Sequence, residues 1–241
     1  MPVDVSRLRA IIFDYGNTLV EFSQKQIEAC DSALALALER QFGKVDYRRL
    51  KAIRNNDRRA PYSEDYREND LAEISTNLVR ELYGVQPTSE ALAEILRVRF
   101  DSFVACIEAG PQVAGFLEEL RRKYLIGLVS NYPDGRAVRA SLKRVGLAGC
   151  FDAVVVSGDV GRVKPHPRPF EAALHQLGVD PGEALCVGDN WLADIQGAKR
   201  LGMQAALTLQ WDTSEKFDPQ PGDFEPDLTV RHLTELSRLS P

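Results

Sequence analysis

Short apolar runs recur along this chain, and each one breaks on a polar turn. Ala10–Phe13 runs into Asp14-Tyr15-Gly16-Asn17, 125–129 into Ser130-Asn131, Ala153–Val156 into Ser157-Gly158, and 184–187 into Gly188-Asp189; 204–209 is a further candidate strand. Helical patterns at 136–145 and 168–177 lie between them and meet Gly146 and Gly178, the residue type that closes a helix in the left-handed conformation. Strand, helix, strand at this spacing predicts an α/β fold, a parallel sheet with helices on both faces. Such sheets bind ligands beyond the carboxyl ends of their strands.

Between about residues 21 and 106 the pattern changes. Helical periodicity fills 26–42, 47–55, 64–82 and 89–103, and no strand signal interrupts it. The first strand is expected to end at Thr18, with this all-helical block inserted behind it. A block entering just after the Asp14 turn must hang over the active edge of the sheet, which favours a cap over a separate helical domain. The expected division is a core of 1–20 and 107–241 and a cap of 21–106. Residues 212–227, with Pro219, Pro221 and Pro226, read as a surface loop.

Composition narrows the partners. A chain of 241 residues can bury a full core, and a net charge of -5 argues against a nucleic-acid footprint. The apolar runs are far too short to span a bilayer, and the first residues lack a secretory pattern. Cys30, Cys106, Cys150 and Cys186 are scattered without a CxxC pair, so they read as reduced packing thiols of a cytoplasmic protein. His166, His175 and His232 form no zinc-ligand spacing. Monomer and homodimer are both open.

The chemistry gathers at strand ends. Asp14 closes a fully apolar strand, where a carboxylate needs partners. Asp189 closes another, and Asp194 follows in Gly188-Asp189-Asn190-Trp191-Leu192-Ala193-Asp194. If the two strands are neighbours, three carboxylates converge, and they cannot all stay ionised without a cation. All-oxygen ligands favour a hard ion such as Mg²⁺. Ser130 and Asn131 offer a hydroxyl and an amide for phosphate oxygens, helped by N–H groups where the next helix starts. Lys164 stands in Val163-Lys164-Pro165-His166-Pro167, where two prolines stiffen the backbone behind it.

These four elements, in this order, resemble the haloacid dehalogenase-like (HAD) hydrolase superfamily. Its pattern is an aspartate loop after the first strand, a Ser or Thr after the second, a Lys before Pro-x-Pro, and a Gly-Asp-x(4)-Asp loop. The resemblance implies a Rossmann-like core with an inserted α-helical cap. It also implies a hydrolase that cleaves a small phosphorylated metabolite through an aspartyl intermediate on Asp14. By the same resemblance Mg²⁺ is held by Asp14, the Gly16 carbonyl and Asp189, with Asp194 nearby. Ser130 and Lys164 stabilise the transferring phosphoryl group.

Gly16 departs from the family. Phosphatases of this type carry a second Asp there, which protonates the leaving group and then activates water. Loss of such a group costs roughly 10²–10⁴-fold. Three readings follow. A phosphoryl-transfer enzyme can recruit its acid–base elsewhere, with Lys25, Lys51 and the cluster Arg54-Asn55-Asn56-Asp57-Arg58-Arg59 as cap candidates; phosphonate hydrolases of the family also lack this Asp and use a cap lysine. A 2-haloacid dehalogenase lacks it too, but needs no metal, carries an uncharged residue at the Asp189 position and has Tyr at the Gly16 position. The third reading is a weakly active or non-catalytic binding protein on the same core.

Overall fold

The computed structural model describes residues 3–63, 65–211 and 219–239. Six strands, β1 (Ala10–Phe13), β2 (Leu125–Ser130), β3 (Ala153–Val156), β4 (Ala184–Gly188), β5 (Gln204–Thr208) and β6 (Leu228–Val230), form one parallel sheet in the order β3-β2-β1-β4-β5-β6. The order reverses between β1 and β4, and open α/β sheets hold their ligands at that crevice. Phe13 is in register with Leu128 of β2 and Val187 of β4, so the three central strands end side by side.

Alternate side chains of β1 feed opposite cores. Ile11 and Phe13 pack into one apolar cluster, Ala10 and Ile12 into the other, which is why the strand reads as an unbroken apolar run. Helices α5 (Gln112–Arg121) and α6 (Gly135–Arg144) cover the first face, with Phe116 edge-on to Phe13 at 6.1 Å. On the second face lies α8 (Pro167–Leu177), which presents Phe170, Ala173, Leu174 and Leu177. A short α7 (Ser157–Val160) precedes it.

The helical insert lies between β1 and β2. Its helices α1 (Gln24–Phe42), α2 (Tyr47–Ser63), α3 (Leu71–Tyr83) and α4 (Ser89–Cys106) share their own apolar cluster around Leu34, Leu38, Leu50, Leu78 and Ile95. Among the described residues no helix is long and apolar enough to cross a membrane.

Four details differ from the sequence expectations. The first strand stops at Phe13, not Thr18, because Asn17 takes a left-handed φ of 56° and the Leu19 and Val20 amides donate back to the Tyr15 carbonyl. That local reversal takes the donors a strand would have shared. The helix expected over 64–82 starts at Leu71, capped by the Asp70 carboxylate; its first expected residue, 64, lies outside the described residues. Positive φ values at Asp65 and Tyr66 separate it from α2, which continues past residue 55 to Ser63. The loop expected over 212–227 includes 212–218, outside the described residues. Its described remainder is tied down: Asp223 accepts from the Trp191 indole, Phe224 bonds both ways with Gln196, and Asp227 pairs with Lys199. This anchoring delivers β6, a strand too short to stand out in the sequence.

Candidate active site

Lys164 is the organising group. Its side chain is buried, and Nζ donates to Asp14 Oδ1 at 2.7 Å, Asp194 Oδ1 at 2.6 Å and the Val129 carbonyl at 2.8 Å. All three ammonium hydrogens are therefore placed. Burial opposes its charge, but Asp14 and Asp194 more than offset that and push its pKa up. The backbone is gripped as firmly as the head. Asn131 accepts from the Lys164 N–H at 2.8 Å and donates to its carbonyl at 3.0 Å. Behind it, His166 caps α8 through Nδ1 and Pro167 occupies the first turn, where a missing N–H costs nothing.

Three acids share this neighbourhood. Asp14, Asp189 and Asp194 each offer an oxygen within 4.8 Å of the others. Asp14 is fixed through its own amide, which donates to the Val187 carbonyl at 2.8 Å. Burial raises its carboxyl to about 6, against the pull of Lys164 and with a push from Asp194. Asp189 is raised further, to about 8, by burial and then by the charges of Asp14 and Asp194. Asp194 sits on a π-helical turn, Trp191–Gln196, capped by Asn190, and its second oxygen accepts from the Asn190 amide at 3.0 Å. A π-turn widens the backbone and is a common way to aim a functional side chain. Gly188 makes the approach feasible, since a Cβ there would stand 2.2 Å from the Asp194 carboxyl carbon.

One ammonium faces three carboxylates, which leaves the cluster short of positive charge. The donors are all oxygen and closely spaced, which is the chemistry of a divalent hard-cation site. The residue set therefore fits a divalent metal.

The cluster opens into a cavity of about 350 Å³ between the sheet edge and the insert. Asp14, Gly16, Ser130, Asn131, Lys164, Asp189 and Asp194 all line it. Two expected roles shift in emphasis. The Asn131 amide is committed to the Lys164 backbone, so it holds the lysine in place. The N–H groups opening α6 are taken by the Asp134 carboxylate, which accepts from Arg136 and Ala137, so that helix start is not free to cradle an anion. The insert contributes Arg54, Asp57 and Arg58 from the suspected polar cluster, while Asn55, Asn56, Arg59 and Lys25 are exposed. Lys51 is engaged with Glu28 at 3.4 Å.

Sequence reasoning missed Arg99, Glu68 and Tyr132 on the cavity wall. Arg99 stands four residues before the buried Phe103, hence on the same face of α4, and that spacing was the available signal. The Phe103 ring stacks on Tyr132 at 3.9 Å, which brings α4 against the peptide following Ser130 and Asn131. Cys30 and Cys106 are free thiols with sulfurs 3.6 Å apart.

The model of the haloacid dehalogenase-like hydrolase family matches residues 8–202. The chain is 29% identical over 237 residues to the glyceraldehyde 3-phosphate phosphatase of Methanopyrus kandleri, covering 95% of each protein. It is 40% identical over 128 residues to the phosphoserine phosphatase of Thermus thermophilus, covering 52% of this chain and 49% of that protein. Among solved structures, the 2-haloacid dehalogenase of Pseudomonas syringae pv. Tomato superposes with a TM-score of 0.73 at 24% identity, covering 96% of this chain and 97% of that one, a likeness of fold. With the family model spanning most of the sheet, the insert and the acidic cluster, the chain belongs to the haloacid dehalogenase-like hydrolases.

Proposed function

We propose that this protein is a magnesium-dependent phosphatase of small phosphate esters, with Asp14 as the nucleophile and the helical insert, 21–106, as a cap over the core of 1–20 and 107–241. The observation that carries the reading is the cluster itself: one buried lysine bonded to Asp14 and Asp194, and Asp189 beside them. A carbon-centred displacement of halide needs the nucleophile and the lysine. It has no use for two further acids beside the nucleophile, one of which, Asp194, pushes its pKa up. A metal-assisted attack on an anionic phosphate does. The chain's likeness to a phosphatase over 95% of its length points the same way.

Lys164 holds Oδ1 of Asp14, leaving Oδ2 to attack phosphorus. The P–O ester bond breaks, the phosphoryl group passes to Asp14, and the leaving oxygen takes a proton from water or a cap donor. Water then attacks the phosphoaspartate, releasing phosphate and the Asp14 carboxylate. Ser130 and the Lys164 ammonium offset charge on the phosphoryl oxygens. Mg²⁺, held by Asp14, Asp189, Asp194 and the Gly16 carbonyl, would offset the repulsion between carboxylate and phosphate. Gly16 supplies no proton, so turnover of the aspartyl intermediate is the slow step.

The test is phosphate release from a panel of small esters, with and without Mg²⁺, with Asp14→Asn as the blank. Metal-dependent release absent from the blank is the expected result; metal-independent chloride release from 2-chloropropionate would replace this reading with the dehalogenase one.

A further inference from the structure

The insert brings to the cavity a cation that the chemistry at Asp14 does not use. Arg54 is already neutralised, since its guanidinium meets Asp31 at 2.8 Å and Asn55 at 2.8 Å. Arg99 is not. It lines the cavity from α4, and its Nε is buried without a partner. Among the described residues no hydrogen bond or ion pair holds the rest of its guanidinium. Asp57 and Asp31 reach it only through space, and burial pulls its pKa down. Arg97, two positions earlier on the same helix, shows the ordinary alternative: it is exposed and spans Glu94 and Asp101.

A half-buried guanidinium without an oxygen partner, its Nε cut off from solvent, is a costly arrangement. It becomes favourable when a carboxylate or phosphate arrives, because the planar fork matches either anion. We infer that Arg99 receives a second anionic group on the substrate, so that the preferred ester is a small monophosphate bearing a carboxylate or a second phosphate at its other end. The inference rests on the phosphatase reading, because it assigns the part of the same cavity that faces the leaving group. A volume of about 350 Å³ suits an ester of a few carbons.

The test uses Asp14→Asn protein with Mg²⁺, titrated calorimetrically with 3-phosphoglycerate, propane-1,3-diyl bisphosphate and, as the uncharged-tail control, glycerol 3-phosphate. One of the two anion-tailed esters should bind about tenfold or more tighter than the control, and the winner identifies the tail. Adding Arg99→Met should abolish the gap, and Arg99→Lys should restore part of it. Thermal melting separates a binding role from a structural one: removing an unpaired, half-buried charge should leave the midpoint of Arg99→Met unchanged or raised. Arg99→Gln carries the same comparison in a second background. Equal binding of the three esters, or a gap that survives Arg99→Met and Arg99→Gln, overturns the inference. If wild-type protein hydrolyses all three with equal kcat/KM, the inference falls and the phosphatase reading stands. If no ester binds and none is hydrolysed, an aryl phosphate included, both fall.

Discussion

At Gly16, where the proposed chemistry would use a carboxylate, space matters as well as chemistry. A Cβ there would stand 3.2 Å from Phe22 Cβ, tight but relieved by a shift of a few tenths of an ångström. Gly16→Asp should therefore fold, and with an aryl phosphate its steady rate should rise by about tenfold or more, read as phosphate release. A wild-type rate equal to the mutant's would mean that another group already performs the proton transfer. Asp189 gives the metal-free protein a distinct pH signature. Its carboxyl is raised to about 8 in the fold against an ordinary 3.8, so between those values the folded state holds a proton the unfolded chain lacks. That contribution to stability is complete below the unfolded value and lost as pH rises through the folded one. Metal-free protein should melt progressively lower from about pH 5 to pH 9, Asp189→Asn should flatten the trend, and the rise in melting point on adding Mg²⁺ should be largest at the alkaline end. Calorimetric Mg²⁺ affinity should also drop in Asp189→Asn. The residues behind these effects were legible because each stands where an apolar strand stops. Arg99 was not, since an arginine inside a helix carries no mark of which side it faces until its neighbours are placed.

Among the elements, the strands were the easiest to read. Burial on both faces leaves β1, β2 and β4 almost purely apolar, and their polar terminators mark the edge at which open α/β sheets hold ligands. The helices of the insert were legible as helices, but less so at their ends. The break between α2 and α3 rests on left-handed backbone at Asp65 and Tyr66, neither a glycine nor a proline, so composition gave no cue. The π-helical turn was equally silent: Trp191–Gln196 has no sequence pattern of its own, and it carries Asp194 to Lys164 close over Gly188. Gly188→Ala would set a methyl against the Asp194 carboxylate. Overpacking of this kind costs about 1–3 kcal/mol, visible in urea melts, and should weaken Mg²⁺ binding in parallel by displacing Asp194.

On the scale of the whole molecule, the sheet and its insert meet at more than the cavity. The segment after α2 crosses to the core: the Val163 amide donates to the Tyr66 carbonyl at 2.8 Å, the Glu68 amide donates to the Gly161 carbonyl at 3.2 Å, and Ser157 donates to the Glu68 carboxylate. Arg67 and Arg162 pair as an isolated antiparallel bridge. Long-range stitching of this sort is invisible in one sequence, because nothing local announces that residue 66 will meet residue 163. Hydrogen exchange should show the amides of Glu68 and Val163 less protected than those of the central sheet, and slowed when a phosphate ester binds to the Asp14→Asn protein. The stitched peptide is also the one that leads directly into Lys164. The bond between Tyr66 and Val163 therefore lies one residue from the backbone that carries the ammonium, so the insert is fastened to the core right beside the group that holds Asp14.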